Sequence, residues 1–169
     1  MVVKTTTRKT AVKKATTTKK TAVKKATASK TTAAKKATSS TELSVTGNKK
    51  IITLQKEFNK KFPYLRLGLF YSYARQQVAK GEGITQIDGD KTLASVRRAD
   101  SGGDISISGN KRIGSLEKEF DKVFGLYCQV CYTEADGSRY YTSGSDDTKT
   151  LSAFNKQCEA AGCKKGICR

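Results

Sequence analysis

Residues 43–62 read LSVTGNKKIITLQKEFNKKF, and residues 105–124 read ISISGNKRIGSLEKEFDKVF. Without a gap, 11 of these 20 positions are identical, and seven more are close exchanges such as Val45/Ile107 and Asn59/Asp121. Farther along, Lys91-Thr92-Leu93 matches Lys149-Thr150-Leu151. A self-match of this length restricts the fold strongly, because the shape taken by the first stretch has to suit the second as well. The expected organisation is one unit over 42–100 and another over 104–157, joined by Ser101-Gly102-Gly103, with a Cys- and Lys-rich extension at 158–169.

Each unit has the same coarse grammar. Leu43-Ser44-Val45 and Ile105-Ser106-Ile107 alternate apolar and polar, as a short half-buried strand does. Gly47-Asn48 and Gly109-Asn110 then turn the chain. Ile51, Leu54, Phe58 and Phe62, matched by Ile113, Leu116, Phe120 and Phe124, recur at helical spacing and give each unit one apolar stripe. Asn48/Asn110 or Thr53/Ser115 are the candidate caps. Pro63 and Gly125 stop both helices at the same place. An alternating strand follows, Leu65-x-Leu67-x-Leu69-x-Tyr71 in one unit and Leu126-x-Cys128-x-Val130-x-Tyr132 in the other. A return strand is expected over Gly83–Ile87 and over Arg139–Thr142, the latter through an Asp136-Gly137 turn. Short helical turns at Leu93–Val96 and Leu151–Phe154 close the units. About 55 residues bury only ~60% of their unfolded surface, so each unit alone is marginal and the two are expected to pack together. The expected fold class is α+β: two tandem β-α-β-β repeats in one pseudo-twofold body, with mostly antiparallel sheet, preceded by a disordered Lys-rich tail.

The tail is where composition enters. Residues 1–41 hold 12 of the chain's 33 Lys and Arg and no acid, so they carry 12 of its 18 net positive charges. Almost wholly Lys, Thr, Ala, Val and Ser, they lack the apolar area needed to offset the entropy of ordering them. Lys9–Thr16 and Lys20–Thr27 are the same octamer, KTAVKKAT, and a degenerate copy occupies 32–38. The 11-residue spacing would align Lys13, Lys24 and Lys35 along a helix, beside Lys14, Lys25 and Lys36. In water, Lys–Lys repulsion and β-branched Thr oppose that helix; on a polyanion the repulsion is neutralised.

These Lys-Lys-Ala-Thr units resemble the Lys/Ala/Thr-rich tails of linker histones and bacterial histone-like proteins, which implies binding to the DNA backbone and condensation of DNA. Elementary electrostatics reaches the same partner. Duplex DNA presents one negative charge per ~1.7 Å of axis, and a Lys-dense flexible arm binds it by counterion release. At ~3.3–3.6 Å per residue the arm reaches on the order of 140 Å. It has no aromatic to stack on bases and no Asn or Gln to read their edges, so contact without sequence readout is expected. The candidate phosphate-binding residues are Lys4, Arg8, Lys9, Lys13, Lys14, Lys19, Lys20, Lys24, Lys25, Lys30, Lys35 and Lys36. Lys49, Lys50, Lys111 and Arg112 in the body join them, and Lys60-Lys61 and Arg97-Arg98 extend the same basic surface. DNA is the expected partner and RNA the alternative polyanion. A membrane surface is not expected: no leucine or aromatic anchor accompanies the lysines, and Val2 stands where myristoylation needs glycine. With neither a secretory leader nor a run of 18 apolar residues in sight, a nucleoid or nuclear location is the expectation rather than export.

The order strand, helix, Gly, strand, hairpin, Asp147-Thr148-Lys149-Thr150-Leu151-Ser152 also resembles the second half of a ubiquitin-like β-grasp fold. That resemblance implies a protein-binding module without catalytic function. It leaves open a second reading, in which the body joins a larger assembly and the tail reaches packaged nucleic acid or RNA.

Catalytic chemistry is poorly represented. With no histidine in the chain, imidazole is excluded as base, shuttle or ligand. Gly81-Glu82-Gly83 lacks the following helix of a nucleotide loop, and Asp88/Asp90 and Asp146-Asp147 read as solvated turns. No cofactor and no enzyme activity are expected. Five cysteines cluster near the C-terminus, so Cys128, Cys131, Cys158 and Cys163 are the one candidate zinc set. Against it, Cys128 and Cys131 fall three apart in a strand and point to opposite faces. Buried free thiols, or a disulfide among Cys158, Cys163 and Cys168, are the other readings.

Overall fold

In the computed structural model, which describes residues 42–100 and 102–166, the elements run β1 (Leu43–Val45), α1 (Ile51–Lys61), β2 (Leu65–Tyr71), α2 (Ala74–Ala79), α3 (Leu93–Val96), β3 (Ile105–Ile107), α4 (Ile113–Phe124), β4 (Leu126–Thr133), β5 (Arg139–Tyr141), a 3-10 turn (Asp146–Thr148) and α5 (Leu151–Ala160). The expected tail, its 11-residue repeats and Ser101 lie outside the described residues, as do residues 167–169. The described residues fall in one unit, Ala37–Arg169.

The apolar stripes do what their spacing dictates. Ile51, Leu54 and Phe58 of α1, and Ile113, Leu116, Phe120 and Phe124 of α4, are fully buried. Each such side chain is worth ~1.5–3 kcal/mol of transfer free energy. They meet Leu65, Leu67 and Leu69 of β2, Leu126, Cys128 and Val130 of β4, and Val45 and Ile107 of the first short pair, all in one continuous core. α4 ends at a left-handed Gly125 (φ 64°), and α1 ends at Phe62 just before Pro63.

Neither helix is capped by an Asn, Thr or Ser side chain. The caps are Lys50 and Arg112, with no side-chain bond. The loop before the next short helix supplies the acceptors instead. Ile51 N–H donates to Lys91 O and Ile52 N–H to Gly89 O, while Ile113 N–H donates to Lys149 O. With the first amides already satisfied, the polar caps suggested by the sequence are unnecessary. The side-chain caps sit one element later, where Thr92 Oγ1 accepts from Ser95 N–H and Thr150 Oγ1 from Ala153 N–H.

All strand pairing is antiparallel. β1 and β3 form a two-stranded ribbon, Leu43 opposite Ile107 and Val45 opposite Ile105. A second sheet has the order β2-β4-β5, with Gly68 opposite Gln129 at the middle of the β2–β4 register and Leu65 opposite Tyr132 at one end. β2 is more buried than its alternation predicts, because both of its faces are covered. Leu65, Leu67 and Leu69 face the main core; Phe70, on the other face, is fully buried between Tyr127 and Tyr141, with ring centroids 6.1 and 6.2 Å away.

Two expectations need correction. The return strand of the first unit is absent: residues 82–88 carry no strand, and Ile87 N–H to Leu69 O is a single contact where β5 makes a ladder. In its place α2 turns the chain away directly after β2, so the first unit is not β-α-β-β. Nor does the C-terminal extension begin at 158. Leu151, Phe154 and Cys158 are one buried helical stripe, which carries α5 through Ala160. The segment beyond is held to the body, with Lys164 N–H donating to Thr133 O, and both Asn59 Nδ2 and Arg66 Nε donating to Gly166 O. No helix among the described residues is long and apolar enough to cross a membrane.

Candidate nucleic-acid interface

The twelve tail cations, Lys4 through Lys36, lie outside the described residues; the four body cations can be placed. Lys49 and Lys111 hold equivalent positions and share one role. Each pairs with a glutamate two turns along the following helix, Lys49 with Glu57 and Lys111 with Glu119, and each Lys side chain is less than a fifth exposed. Lys49 Nζ also donates to Ser44 O. Such ammonium groups brace a turn against a helix. Lys50 is exposed and 3.7 Å from Asp90, a loose surface pair worth at most ~1 kcal/mol. Arg112 is exposed.

A cation cluster of different character stands at the end of β2. Arg98 N–H and Ala99 N–H both donate to Phe124 O, which pins this segment to the C-terminus of α4. The Arg98 guanidinium lies over the Tyr71 ring, 5.4 Å from its centroid. Tyr71 in turn stacks on Tyr73 at 5.7 Å and 20°. The result is a ladder of guanidinium, half-buried ring and outer ring, and Tyr73 is 60% exposed. Arg97 and Arg98 are exposed, and no ion pair engages either among the described residues. Nearby, Arg75 lies over Tyr127 at 5.3 Å and pairs with Asp121 at 3.3 Å. At the sheet's other end Tyr132 stacks on Tyr140, and Tyr140 and Tyr141 are 46% and 40% exposed. Tyr71 and Tyr132 are partly buried against the core, whereas Tyr73, Tyr140 and Tyr141 present ring surface to solvent. Arg97-Arg98 was legible in the sequence as basic surface; its placement beside the Tyr71–Tyr73 stack was not, because a loop fold puts it there.

Glu117 gave no sequence signal. It occupies the position that Gln55 holds in the first unit. Its Oε1 accepts from Val130 N–H (3.1 Å), and it lines cavities of about 350 and 210 Å³ with Tyr127 and Asp147. Burial first, then the Asp147 carboxylate, push its pKa up to about 7 against the opposing bond from Val130. Asp147 Oδ1 is buried without a hydrogen-bond partner among the described residues. Glu117 can therefore hold a proton near neutrality, and the Thr142 hydroxyl donates to its Oε1 at 3.4 Å.

The cysteines divide by surroundings. Cys128 is in the core, where burial pushes its thiol well above the ordinary value. Cys131, on the opposite face of β4, is buried and disulfide-bonded, so it is not the thiolate that the zinc set requires. Cys158 and Cys163 are free thiols together at the end of α5. Comparison with protein-family models, curated proteins and solved structures finds no match to this chain.

Proposed function

We propose that the chain is a non-enzymatic, sequence-nonspecific nucleic-acid-binding protein that grips and condenses DNA through its Lys-rich N-terminal segment. The observation that carries this reading is charge segregation: 12 cations and no acid in residues 1–41, against 21 cations and 15 acids in the remainder. Phosphate neutralisation with counterion release needs nothing more specific. The body adds a second kind of contact. Its paired Lys49 and Lys111 are poorly suited to phosphate, while the Arg98–Tyr71–Tyr73 ladder offers an exposed ring on which an unpaired base stacks, beside the cationic Arg97. In this reading the protein belongs on the nucleoid, or in a nucleus.

The body is best read as two copies of one unit around a pseudo-twofold axis. Several equivalent contacts support it. The β1–β3 and β2–β4 registers each map onto themselves when the units are exchanged. The bridges Lys50–Thr92 and Arg112–Thr150 are counterparts, as are Ala94 N–H to Gly47 O and Ser152 N–H to Gly109 O.

Nuclease treatment of the protein as purified tests the function. Co-purifying nucleic acid that is released by DNase and by high salt is the expected result. A chain lacking residues 1–41 that binds duplex as tightly as the whole would remove the reading, and a defined protein complex without nucleic acid would favour the assembly alternative.

A further inference from the structure

We propose that Cys158 and Cys163 form a thiol–disulfide exchange site for small organic disulfides, reached through the cavity beside the end of α5. The two sulfurs meet because of how that helix ends. Gly162 is left-handed (φ 74°); its N–H donates to Glu159 O at 3.1 Å, and Cys163 N–H donates to Cys158 O at 2.9 Å. These two bonds make a Schellman end, whose geometry presses the side chain just after the glycine against the one at the start of the last helical turn. That contact is commonly apolar. Here both partners are cysteines, both reduced and both buried, with their thiols in hydrogen-bond contact. The motif does not itself call for cysteine: α2 ends in the same pair of bonds, Gly81 N–H to Val78 O and Glu82 N–H to Gln77 O, with Gln77 and Glu82 in the equivalent places.

Access is built in. A cavity of about 490 Å³, lined by Tyr132, Glu134, Asp146 and Phe154, is also lined by both cysteines, and its volume suits a small disulfide. The roles of the two sulfurs differ. Burial, then the adjoining Cys163 thiol, push Cys158 up to about 12. Cys163 lies past the end of α5 and is the more exposed of the two, 7% against 3%, so it is the attacking sulfur, and Cys158, held in the helix, is the resolving one. In the first step the Cys163 thiolate attacks one sulfur of R–S–S–R. A Cys163–S–S–R bond forms, the R–S–S–R bond breaks, and the departing RS⁻ takes up the proton that Cys163 lost. In the second step Cys158 loses its proton and attacks the Cys163 sulfur. The Cys158–Cys163 disulfide forms, and the second RS⁻ leaves and is protonated. Two protein thiols are oxidised and one small disulfide is reduced to two thiols, with no other oxidant. The Schellman hydrogen bonds hold the resolving sulfur in place, so the second step is intramolecular and fast.

The test uses the full-length, unreduced protein and bis(2-hydroxyethyl) disulfide as the probe, with non-reducing peptide mapping as the readout. The expected product is a Cys158–Cys163 link with no hydroxyethyl group retained, while Cys128 stays unmodified. Cys158→Ser should trap one hydroxyethylthio group on Cys163, and Cys163→Ser should leave Cys158 unmodified over the same time. Should either variant fail to fold, the wild-type map decides alone. A stable adduct on wild-type Cys163, a link from either cysteine to Cys128, Cys131 or Cys168, or no reaction where a denatured control reacts fully, overturns the proposal.

Discussion

At position 117 the second unit carries a carboxylate where the first carries Gln55, and the two side chains use opposite ends of the same bonding capacity. Gln55 donates through Nε2 to Leu67 O at 2.8 Å, whereas Glu117 accepts from Val130 N–H. Because burial raises Glu117 to about 7 from an ordinary 4.5, the folded state holds its proton more tightly than the unfolded chain. Stability from this group is therefore fully present below about pH 4.5, falls as pH rises through about 7, and is level beyond. The penalty above pH 7 is of the order of 3 kcal/mol. With no histidine in the chain, few other side chains titrate between pH 5 and 8, so the window is clean. Glu117→Gln should leave the urea midpoint at pH 5 nearly unchanged and raise it at pH 8, since a neutral amide keeps the acceptor and offers a donor toward Asp147. An equal midpoint change at both pH values would show that the carboxyl is not the titrating group. Tyr73 makes the other residue-scale prediction. A base–ring stack is worth ~1–3 kcal/mol, so Tyr73→Ala should weaken single-stranded oligonucleotide binding about tenfold or more in a fluorescence titration. Tyr73→Phe, which keeps the ring, should not.

At the scale of elements, α5 shows how a short helix is anchored. Thr150 Oγ1 caps it, and Thr150 also bridges to Arg112 at the start of α4, so the two helix starts are tied through one residue. Thr150→Ala should cost about 1 kcal/mol in urea unfolding, and Thr150→Ser, which keeps the oxygen, only a fraction of that; equal losses would assign the cost to the methyl packing instead. The same region shows what periodicity reveals. The stripes Ile51-Leu54-Phe58 and Ile113-Leu116-Phe120-Phe124, and the alternation from Leu65 and from Leu126, were readable because one-sided burial imposes period 3.6 or 2. Pro63 and Gly125 marked the helix ends for equally local reasons. Features set by the opposite face or by a distant loop left no local trace. Phe70 is buried by Tyr127 and Tyr141, which no pattern within β2 can encode. The first helix turns are satisfied by Gly89, Lys91 and Lys149 carbonyls, so Asn48 and Asn110 stay exposed and unused as caps. The strand expected over Gly83–Ile87 fails because α2 intervenes. Its run Ala74-Arg75-Gln76-Gln77-Val78-Ala79 consists mostly of good helix formers ahead of Gly81, and that local preference outweighs the hairpin seen in the second unit. At the site, Arg97-Arg98 was legible as basic surface, whereas the stacking of Tyr71 and Tyr73 beside Arg98 and the burial of Glu117 depended on tertiary placement.

At the scale of the whole molecule, two binding modes with different salt responses are combined in one chain, and their difference is measurable. If about eight to ten tail cations engage phosphates on duplex DNA, log K against log[salt] has a slope of about −7 to −9. Removing residues 1–41 leaves a body with 21 cations and 15 acids, several of them mutually paired, so both affinity and slope should collapse. Stacking on Tyr73 releases no counterion, so Tyr73→Ala should lower single-strand affinity by a nearly constant factor at every salt concentration and leave the slope as it was. The two variants thus separate the modes: one changes the slope, the other only the intercept. Parallel shifts for both, with unchanged slope after truncation, would mean that the phosphate contacts come from the body. Attention would then move to Arg97, Arg98 and Arg112, whose substitution by Gln should restore the missing slope change, each removing about one unit.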